Sequence, residues 1–340
     1  MKKLVLMLIA LMLVLTGCQN GGNDAASDLK AGSYSITKLA PTDATADADG
    51  KIQFNTTIVS VLLDGDVIKD VQIDVAQNTA VVKADGTVEV PTEFPTKLEK
   101  GDAYGMKDVS AKMGNIEGGG EWYEQAAALE EYMIGKTVTE VLEMPTVERD
   151  ASHTAVPDVE ELKSSVTITV GDYLEALEKA SEVAVAVEGN AVKLGTGSTT
   201  AMTVNEEGKV QTNTTYTRVV LDADGKILDA FVDVAQNDVV VAEDGTITGE
   251  PRDSKYIRKE AYGMKETSAN IGNIEDGGEW YEQADSFVEY IKGLTVAEVV
   301  AIELEAAVPT TEDLTSKVTI HVSDWITAFE KAGENARDIK

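Results

Sequence analysis

The chain has 340 residues, a formal net charge of −31 at pH 7, one cysteine and two histidines. So acidic a surface repels nucleic acid, and no basic patch interrupts it, so a nucleic-acid partner is excluded. The two histidines stand at non-equivalent positions, so duplicated histidine-based metal or nucleophile sites are excluded and we expect no metal.

The N-terminus indicates export. A short positive start is followed by an apolar run over residues 4–16 and by Gly-Cys, and this order predicts a signal peptide over residues 1–17. The sequence Leu-Thr-Gly-Cys resembles a bacterial lipobox, which implies that Cys18 is lipidated and anchors the protein to the outer face of the cell membrane. A secretory signal with an incidental cysteine is the alternative. Residues 18–30 then form a flexible tether.

The mature chain is a duplication. A thirteen-residue segment that begins at Gly114 returns at Gly272 with one change, an offset of 158 residues. This spacing is far above solenoid periods, so it predicts two complete tandem homologous domains, at residues 31–187 and 188–340. Two further repeated segments are Asp-Val-Ala-Gln-Asn at residues 74–78 and 233–237, and Ala-Tyr-Gly-Met-Lys at residues 103–107 and 261–265.

Each copy predicts the same order of elements. β-Branched runs predict a hairpin over residues 57–75 and another over residues 215–234. A helix follows from Trp122 and from Trp280, where apolar residues recur at helical spacing, and a capping-box pattern opens a second, shorter helix. A strand over residues 165–170 and a last helix close the first copy. Strands followed by helices predict an α+β fold.

Two glycine-containing loops are candidate ligand loops, because glycine lets backbone approach a ligand and Tyr and Met suit the face of a flat ring. Trp122 and Trp280 are further candidates, although helix core explains them as well and their spacing favours it. Asn78 and Asn237 are predicted at strand ends, where a turn or a hydrogen bond to a ligand explains them equally. The loop residues are Tyr104, Gly105, Met106, Tyr262, Gly263 and Met264.

These motifs, in this order, with an exported lipidated cysteine and two tandem copies, resemble the PplA-type lipoproteins of Gram-positive bacteria. The resemblance covers nearly the whole mature chain and implies two FMN-binding domains. In that family an ApbE-type flavin transferase joins FMN through its phosphate to a threonine. The flavins relay electrons from a membrane quinone pool, fed by a dehydrogenase, to extracellular acceptors such as ferric iron. The resemblance thus implies an electron carrier rather than a turnover enzyme.

Flavinylated domains carry a Ser-Gly-Ala-Thr-x-Thr-like pattern, and this resemblance assigns covalent FMN to Thr167 and Thr319, up to two per chain. The pattern is more complete around Thr167. A threonine just before a helix start also places a phosphate near free N–H groups. From the pattern alone, an outward-facing strand threonine is an equal alternative. The flanking residues assigned to the sites are Ser164, Ser165, Thr169, Ser316, Lys317 and His321.

Two functions of other classes stay open at this stage. The first is a non-redox binding or signalling lipoprotein, since related lipoproteins release a peptide pheromone from the signal segment, here residues 11–17. The second is a structural surface or adhesion module. A transferase and a quinone-linked dehydrogenase encoded nearby would favour the electron carrier over both.

Overall fold

The computed structural model describes residues 28–113, 115–272 and 274–340. The predicted signal peptide and the lipidation site at Cys18 lie outside the described residues, as does the predicted tether as far as residue 27. Within the described ranges, no helix has both the length and the apolar character needed to cross a membrane. Residues 28–187 are called the N-terminal half below, and residues 188–340 the C-terminal half.

Each half contains one antiparallel five-stranded sheet and one two-stranded sheet. The strands of the N-terminal half are β1 (Leu29–Thr42), β2 (Gly50–Asp64), β3 (Val67–Val82), β4 (Val88–Glu89), β5 (Thr146–Val147), β6 (Val156–Pro157) and β7 (Val185–Ala186). Those of the C-terminal half are β8 (Lys193–Val204), β9 (Lys209–Leu221), β10 (Ile227–Val241), β11 (Ile247–Thr248), β12 (Leu304–Glu305), β13 (Val308–Pro309) and β14 (Arg337–Asp338). The five-stranded sheets have the orders β4-β3-β2-β1-β7 and β11-β10-β9-β8-β14, and the two-stranded sheets are β5-β6 and β12-β13.

Five helices follow the same order in both halves, and the C-terminal half has one further short helix, so the described chain is α+β as predicted. In the N-terminal half they are α1 (Lys97–Lys100), α2 (Lys107–Met113), α3 (Trp122–Met133), α4 (Val138–Leu142) and α5 (Gly171–Glu182). In the C-terminal half they are α6 (Lys255–Arg258), α7 (Lys265–Ile271), α8 (Trp280–Ile291), α9 (Val296–Val300), α10 (Glu312–Thr315) and α11 (Ser323–Glu334). The predicted capping boxes form, with the Thr137 and Thr295 side chains accepting from Glu140 N and Glu298 N.

The two predicted hairpins are confirmed, but their strands run further than predicted. The turn between β2 and β3 places Gly65 at a φ of 64°, a left-handed conformation that glycine adopts readily. Pairing between β2 and β3 continues to Gly50 opposite Val82, because the apolar run after Asn78 stays in the ladder. Asn78 and Asn237 therefore lie inside β3 and β10, and their predicted position at strand ends was wrong.

Each half builds its core between its own sheet and two long helices. In the N-terminal half Trp122, Leu129 and Met133 of α3 pack with Leu177 of α5 against the sheet. The C-terminal half repeats this arrangement, with Phe287 of α8 at its centre. The amphipathic spacing of these helices is what buries one face of each against the sheet.

The opposite faces of the two sheets pack against one another. Phe54 and Ile52 of β2 share a buried cluster with Met202 of β8 and Val210 of β9. The Gln72 side chain also donates from the N-terminal half to Leu194 O, at 2.9 Å. Each sheet is thus covered on both faces, so β2 reads as an almost continuous buried run instead of an alternating one.

The predicted strand over residues 165–170 was wrong. This segment is irregular between a turn and α5, and its counterpart before α11 is irregular as well. Its N–H groups find partners outside any ladder, because Thr167 N donates to the Gln125 side chain and Val170 N to Ala155 O. The β-branched composition predicts a strand, but the backbone N–H groups bind a side chain and a loop carbonyl instead of a neighbouring strand.

Asp74 of β3 is a buried acid whose titration should lower stability as pH rises. Burial raises the pKa of its carboxyl from the ordinary 3.8 to about 6. A raised folded-state pKa contributes stability that is present below the unfolded pKa and is lost as pH rises through the folded one. Between about pH 4 and pH 6 we expect a loss of roughly 2 to 3 kcal/mol from this group.

Asp74→Asn should remove that part of the pH dependence, because an amide does not titrate in this range. The amide oxygen can still accept from the N–H groups of Val75 and Leu98, which now donate to Asp74 Oδ1 at 2.7 and 3.2 Å. Urea unfolding at a series of pH values measures the effect. The exposed Asp64→Asn is the control and should leave the profile unchanged. An Asp74→Asn profile that coincides with the wild-type curve would contradict the expectation.

Candidate functional site

The two Tyr-Gly-Met loops are held in place by a buried glutamate. Each loop ends a short 3₁₀ helix, and Gly105 and Gly263 follow it with φ of 76° and 77°. The Glu121 carboxylate accepts from Met106 N at 2.9 Å and from Lys107 N at 3.0 Å. Glu279 accepts from Met264 N at 2.8 Å and from Lys265 N at 3.2 Å. Both loops are therefore fixed to the start of the following long helix.

The tryptophans that begin α3 and α8 are core residues. Trp122 is buried, and its Nε1 donates to the Tyr173 hydroxyl of α5 at 2.9 Å. Trp280 is buried against Trp325 of α11, with ring centroids 5.3 Å apart in an edge-to-face arrangement. These contacts agree with the helix-core interpretation, although Trp280 also lines a cavity described below.

A lysine lies over the aromatic rings in each half. Lys97 Nζ is 5.1 Å from the Tyr104 ring centroid and 5.6 Å from that of Trp122. Lys255 Nζ is 5.2 Å from the Tyr262 ring centroid. Burial is the main cause that lowers the pKa of the Lys97 ammonium to about 8, and the neighbouring charge of Lys100 is the second. Attraction between the cation and the ring faces offsets part of that desolvation.

Buried glutamines hold the two threonines that the sequence singled out. Gln125 Oε1 accepts from Thr167 N at 2.7 Å and from Thr167 Oγ1 at 3.1 Å. Gln283 Oε1 accepts from Thr319 N at 2.8 Å and from Thr319 Oγ1 at 3.3 Å. In the N-terminal half the same amide group donates to Gly120 O at 3.0 Å. The glutamine therefore ties the threonine segment to the glycine run before the helix.

Gln125→Leu should destabilise the protein by about 2 to 4 kcal/mol, because it leaves the buried Thr167 N and Gly120 O without partners. Gln283→Leu should cost a similar amount. The midpoint of urea unfolding measures both variants. Gln53→Leu is the matched control, since Gln53 is half-buried and its Nε2 donates to the Thr79 hydroxyl at 3.3 Å, not to a buried backbone group. A loss no larger than that of the control would refute the structural role of these glutamines.

The two threonines differ in access. Thr167 is only 4% exposed, whereas Thr319 is half-buried. Residues 148–155 separate β5 from β6, but only residues 306–307 separate β12 from β13. The longer loop brings Arg149, whose Nη1 donates to Thr167 O at 3.0 Å. Although the sequence pattern is fuller around Thr167, the geometry favours Thr319 as the accessible hydroxyl.

A further difference lies at the outer edge of each site. In the register of the sheets, Lys38 pairs with Asn55 and Ala201 pairs with Asn213. Lys38 forms an ion pair with Asp172 in the first turn of α5, and so connects β1 to that helix. The short side chain of Ala201 carries no charge and cannot connect β8 to α11 in this way. The corresponding acid of α11, Asp324, lines an open cavity instead.

That cavity, of about 450 Å³, brings together five of the predicted site residues of the C-terminal half. Asn213, Gln236 and Lys255 supply polar groups to its wall, and Asp324 supplies a carboxylate. Its volume lies in the range of small-molecule sites. The five predicted residues that line it are Tyr262, Met264, Trp280, Thr319 and His321.

Other predicted residues lie elsewhere. Asn78 Nδ2 donates to Thr200 Oγ1 of the other half at 3.3 Å, and Asn237 Oδ1 accepts from Arg252 N at 2.8 Å. Neither asparagine lines the cavity of about 450 Å³. Ser316 and Lys317 are exposed in the turn that ends α10 and also lie outside that lining.

In the N-terminal half, Ser165 Oγ donates to Leu162 O within a turn, at 3.4 Å. Ser164 is exposed and lines a separate, open cavity beside Arg149. Thr169 Oγ1 is buried and has no hydrogen-bond partner among the described residues. The three residues that flank Thr167 in the sequence pattern therefore do not converge on one pocket.

Sequence reasoning missed the residues that position this site. Gln125 and Gln283 belong to the repeated Gly-Glu-Trp-Tyr-Glu-Gln segment. A glutamine that is unchanged on the buried face of both helices could have indicated a structural hydrogen bond. Lys97 and Lys255 precede the repeated loops and lie in segments that otherwise differ between the halves. Comparison with family models, with curated proteins and with solved structures finds no match to this chain.

Proposed function

We propose that the protein is an electron carrier that holds one FMN in the cavity of the C-terminal half, joined through its phosphate to Thr319. The observation that carries the proposal is a half-buried threonine hydroxyl at the wall of a cavity of about 450 Å³ that is also lined by Tyr262, Met264 and Trp280. A bound flavin supplies reversible electron transfer, while the protein supplies orientation and electronic environment.

The residues of the cavity fit such a group in size and character. Tyr262 and Trp280 offer aromatic walls, and Lys255 places a positive charge beside them. The Thr319 hydroxyl donates to Gln283, a bond that it must give up when its oxygen becomes an ester oxygen. Gln283 would still hold the segment through Thr319 N.

The N-terminal half fits a second flavin poorly. Thr167 is buried beneath the Arg149 loop, and the Lys38–Asp172 ion pair crosses the outer edge of the site. The proposal is therefore one FMN per chain, where the resemblance allowed two. The lipid anchor at Cys18, the flavin transferase, the quinone-linked donor and the extracellular acceptor belong to the same proposal.

Intact mass after co-expression with an ApbE-type flavin transferase tests it. We expect an increase equal to one FMN less one water, and a flavin fluorescence that persists after denaturing electrophoresis. An unmodified, colourless product would overturn the proposal and favour a non-redox binding or signalling lipoprotein. An increase of two FMN would show that Thr167 is also an acceptor.

A further inference from the structure

A second cavity lies at the junction of the two halves, and α6 lines it as it lines the Thr319 cavity. Its volume is about 490 Å³, within the range of small-molecule sites. Lys255 lines the Thr319 cavity, and its neighbour Tyr256 lines the junction cavity. The aliphatic wall comes from both halves and includes Ala31, Val183, Val185, Ala230, Val232 and Val288.

The junction cavity exists because an edge-strand position holds a short side chain. Val185 of β7 pairs with Ala31, and in the second sheet Arg337 of β14 pairs with Leu194 at the corresponding edge. Arg337 reaches across to the other half, and the space beside it is only about 180 Å³. Val185 is 55% exposed and leaves the equivalent space open.

The charges around the junction cavity are balanced. Arg218 forms a buried ion pair with Asp229, and Lys292 Nζ is 3.2 Å from a Glu289 carboxylate oxygen. The remaining two charges are one of each sign: Lys259 lies over the Tyr256 ring, and the Asp285 carboxylate accepts from the Tyr256 hydroxyl. The lining therefore carries no net charge, and an uncharged ligand is favoured. The charged lining residues, three of each sign, are Arg218, Lys259, Lys292, Asp229, Asp285 and Glu289.

A residue that lines this cavity has one hydrogen-bond donor without an acceptor among the described residues. Arg218 is 2% exposed, and its Nε has no hydrogen-bond partner among the described residues. Next to it, Phe231 and Tyr256 meet edge to face with ring centroids 5.1 Å apart, and both line the cavity. A buried N–H without an acceptor is costly, and aromatic edges favour a flat ring.

We propose that the junction cavity binds an uncharged aromatic molecule that carries a carbonyl oxygen, with that oxygen directed to the Arg218 end. The aromatic body lies against Phe231 and Tyr256, and the aliphatic wall covers the remainder. The proposal does not depend on whether Thr319 carries a flavin.

Prodan, an uncharged naphthyl ketone whose emission shifts to the blue in apolar surroundings, is the probe. We expect saturable binding to the purified protein with a blue-shifted emission. Val185→Trp fills the cavity from its exposed edge and should weaken binding at least tenfold. Val240→Trp, at an exposed strand position that does not line the cavity, is the control and should bind as wild type. Absence of saturable binding, or equal binding by Val185→Trp, would overturn the proposal.

A second arm tests the role of the carbonyl oxygen. 2-(Dimethylamino)naphthalene, which lacks the ketone, should bind the wild-type protein about tenfold more weakly. In Arg218→Leu/Asp229→Leu this preference should vanish. The double replacement avoids leaving one buried charge unpaired. Equal binding of the two probes by the wild-type protein would refute the acceptor site, even if the double variant does not fold.

Discussion

Thr319→Val should abolish covalent flavin attachment, whereas Thr167→Val should leave it at the wild-type level. The reason is access, because Thr319 lies at an open cavity and Thr167 is buried beneath Arg149. In-gel fluorescence and intact mass after co-expression with the transferase measure both variants. We expect the signal of Thr319→Val to fall to background.

Thr319→Ser is the matched control, since it keeps a hydroxyl at the same position and should retain most of the modification. The serine hydroxyl can still donate to Gln283 Oε1 in the unmodified protein, as the Thr319 hydroxyl does. Fluorescence that survives in Thr319→Val but disappears in Thr167→Val would reverse the assignment. Loss in both variants would indicate that neither half is modified alone.

Arg337→Met should lower the free energy of unfolding by about 3 to 5 kcal/mol at pH 8. Arg337 Nη2 lies 2.9 Å from Asp70 Oδ1, and Nη1 lies 2.7 Å from Glu130 Oε2. Both carboxylates are buried in the N-terminal half. Removal of the cation leaves them without a partner of opposite charge, and urea unfolding measures the cost.

The loss should be smaller at pH 5 than at pH 8. Burial raises the pKa of the Glu130 carboxyl, and the charge of Arg337 holds that rise in check. Without Arg337 the folded-state pKa rises further above its unfolded value, so protonation at low pH relieves part of the cost. Lys340→Met is the control, because Lys340 pairs with Glu131 at an exposed site and should cost little. A pH-independent loss would contradict this account.

Local pattern was enough to predict much of the fold. The hairpins, the helix from Trp122 and the capping box at Thr137 depend on neighbours along the chain, and all of them form. The segment around Thr167 depends on the distant Gln125 side chain, 42 residues away, so its composition misled toward a strand. Asn78 was misplaced because the pairing of β3 with β2 continues beyond the predicted hairpin.

The site was predictable in its residue types and less so in its geometry. The repeated motifs identified Tyr262, Met264, Trp280 and Thr319, and these residues line one cavity. The difference in access between the two halves arises from the β5–β6 loop and from Lys38, and neither lies in a repeated segment. Comparison of the two halves identifies the residues that they share, whereas access to each threonine hydroxyl depends on residues that differ between them.

The ion pair between Asp70 and Arg337 joins residues 267 positions apart along the chain. Contacts between such distant positions form late in folding, because the entropy of closing so long a loop opposes them. We therefore expect the first sheet to assemble before Asp70 receives its cation. We expect refolding to show a separate slow phase in which the two halves dock. Arg337→Met should lower the rate of that phase and leave the faster phases unchanged, and stopped-flow fluorescence measures both.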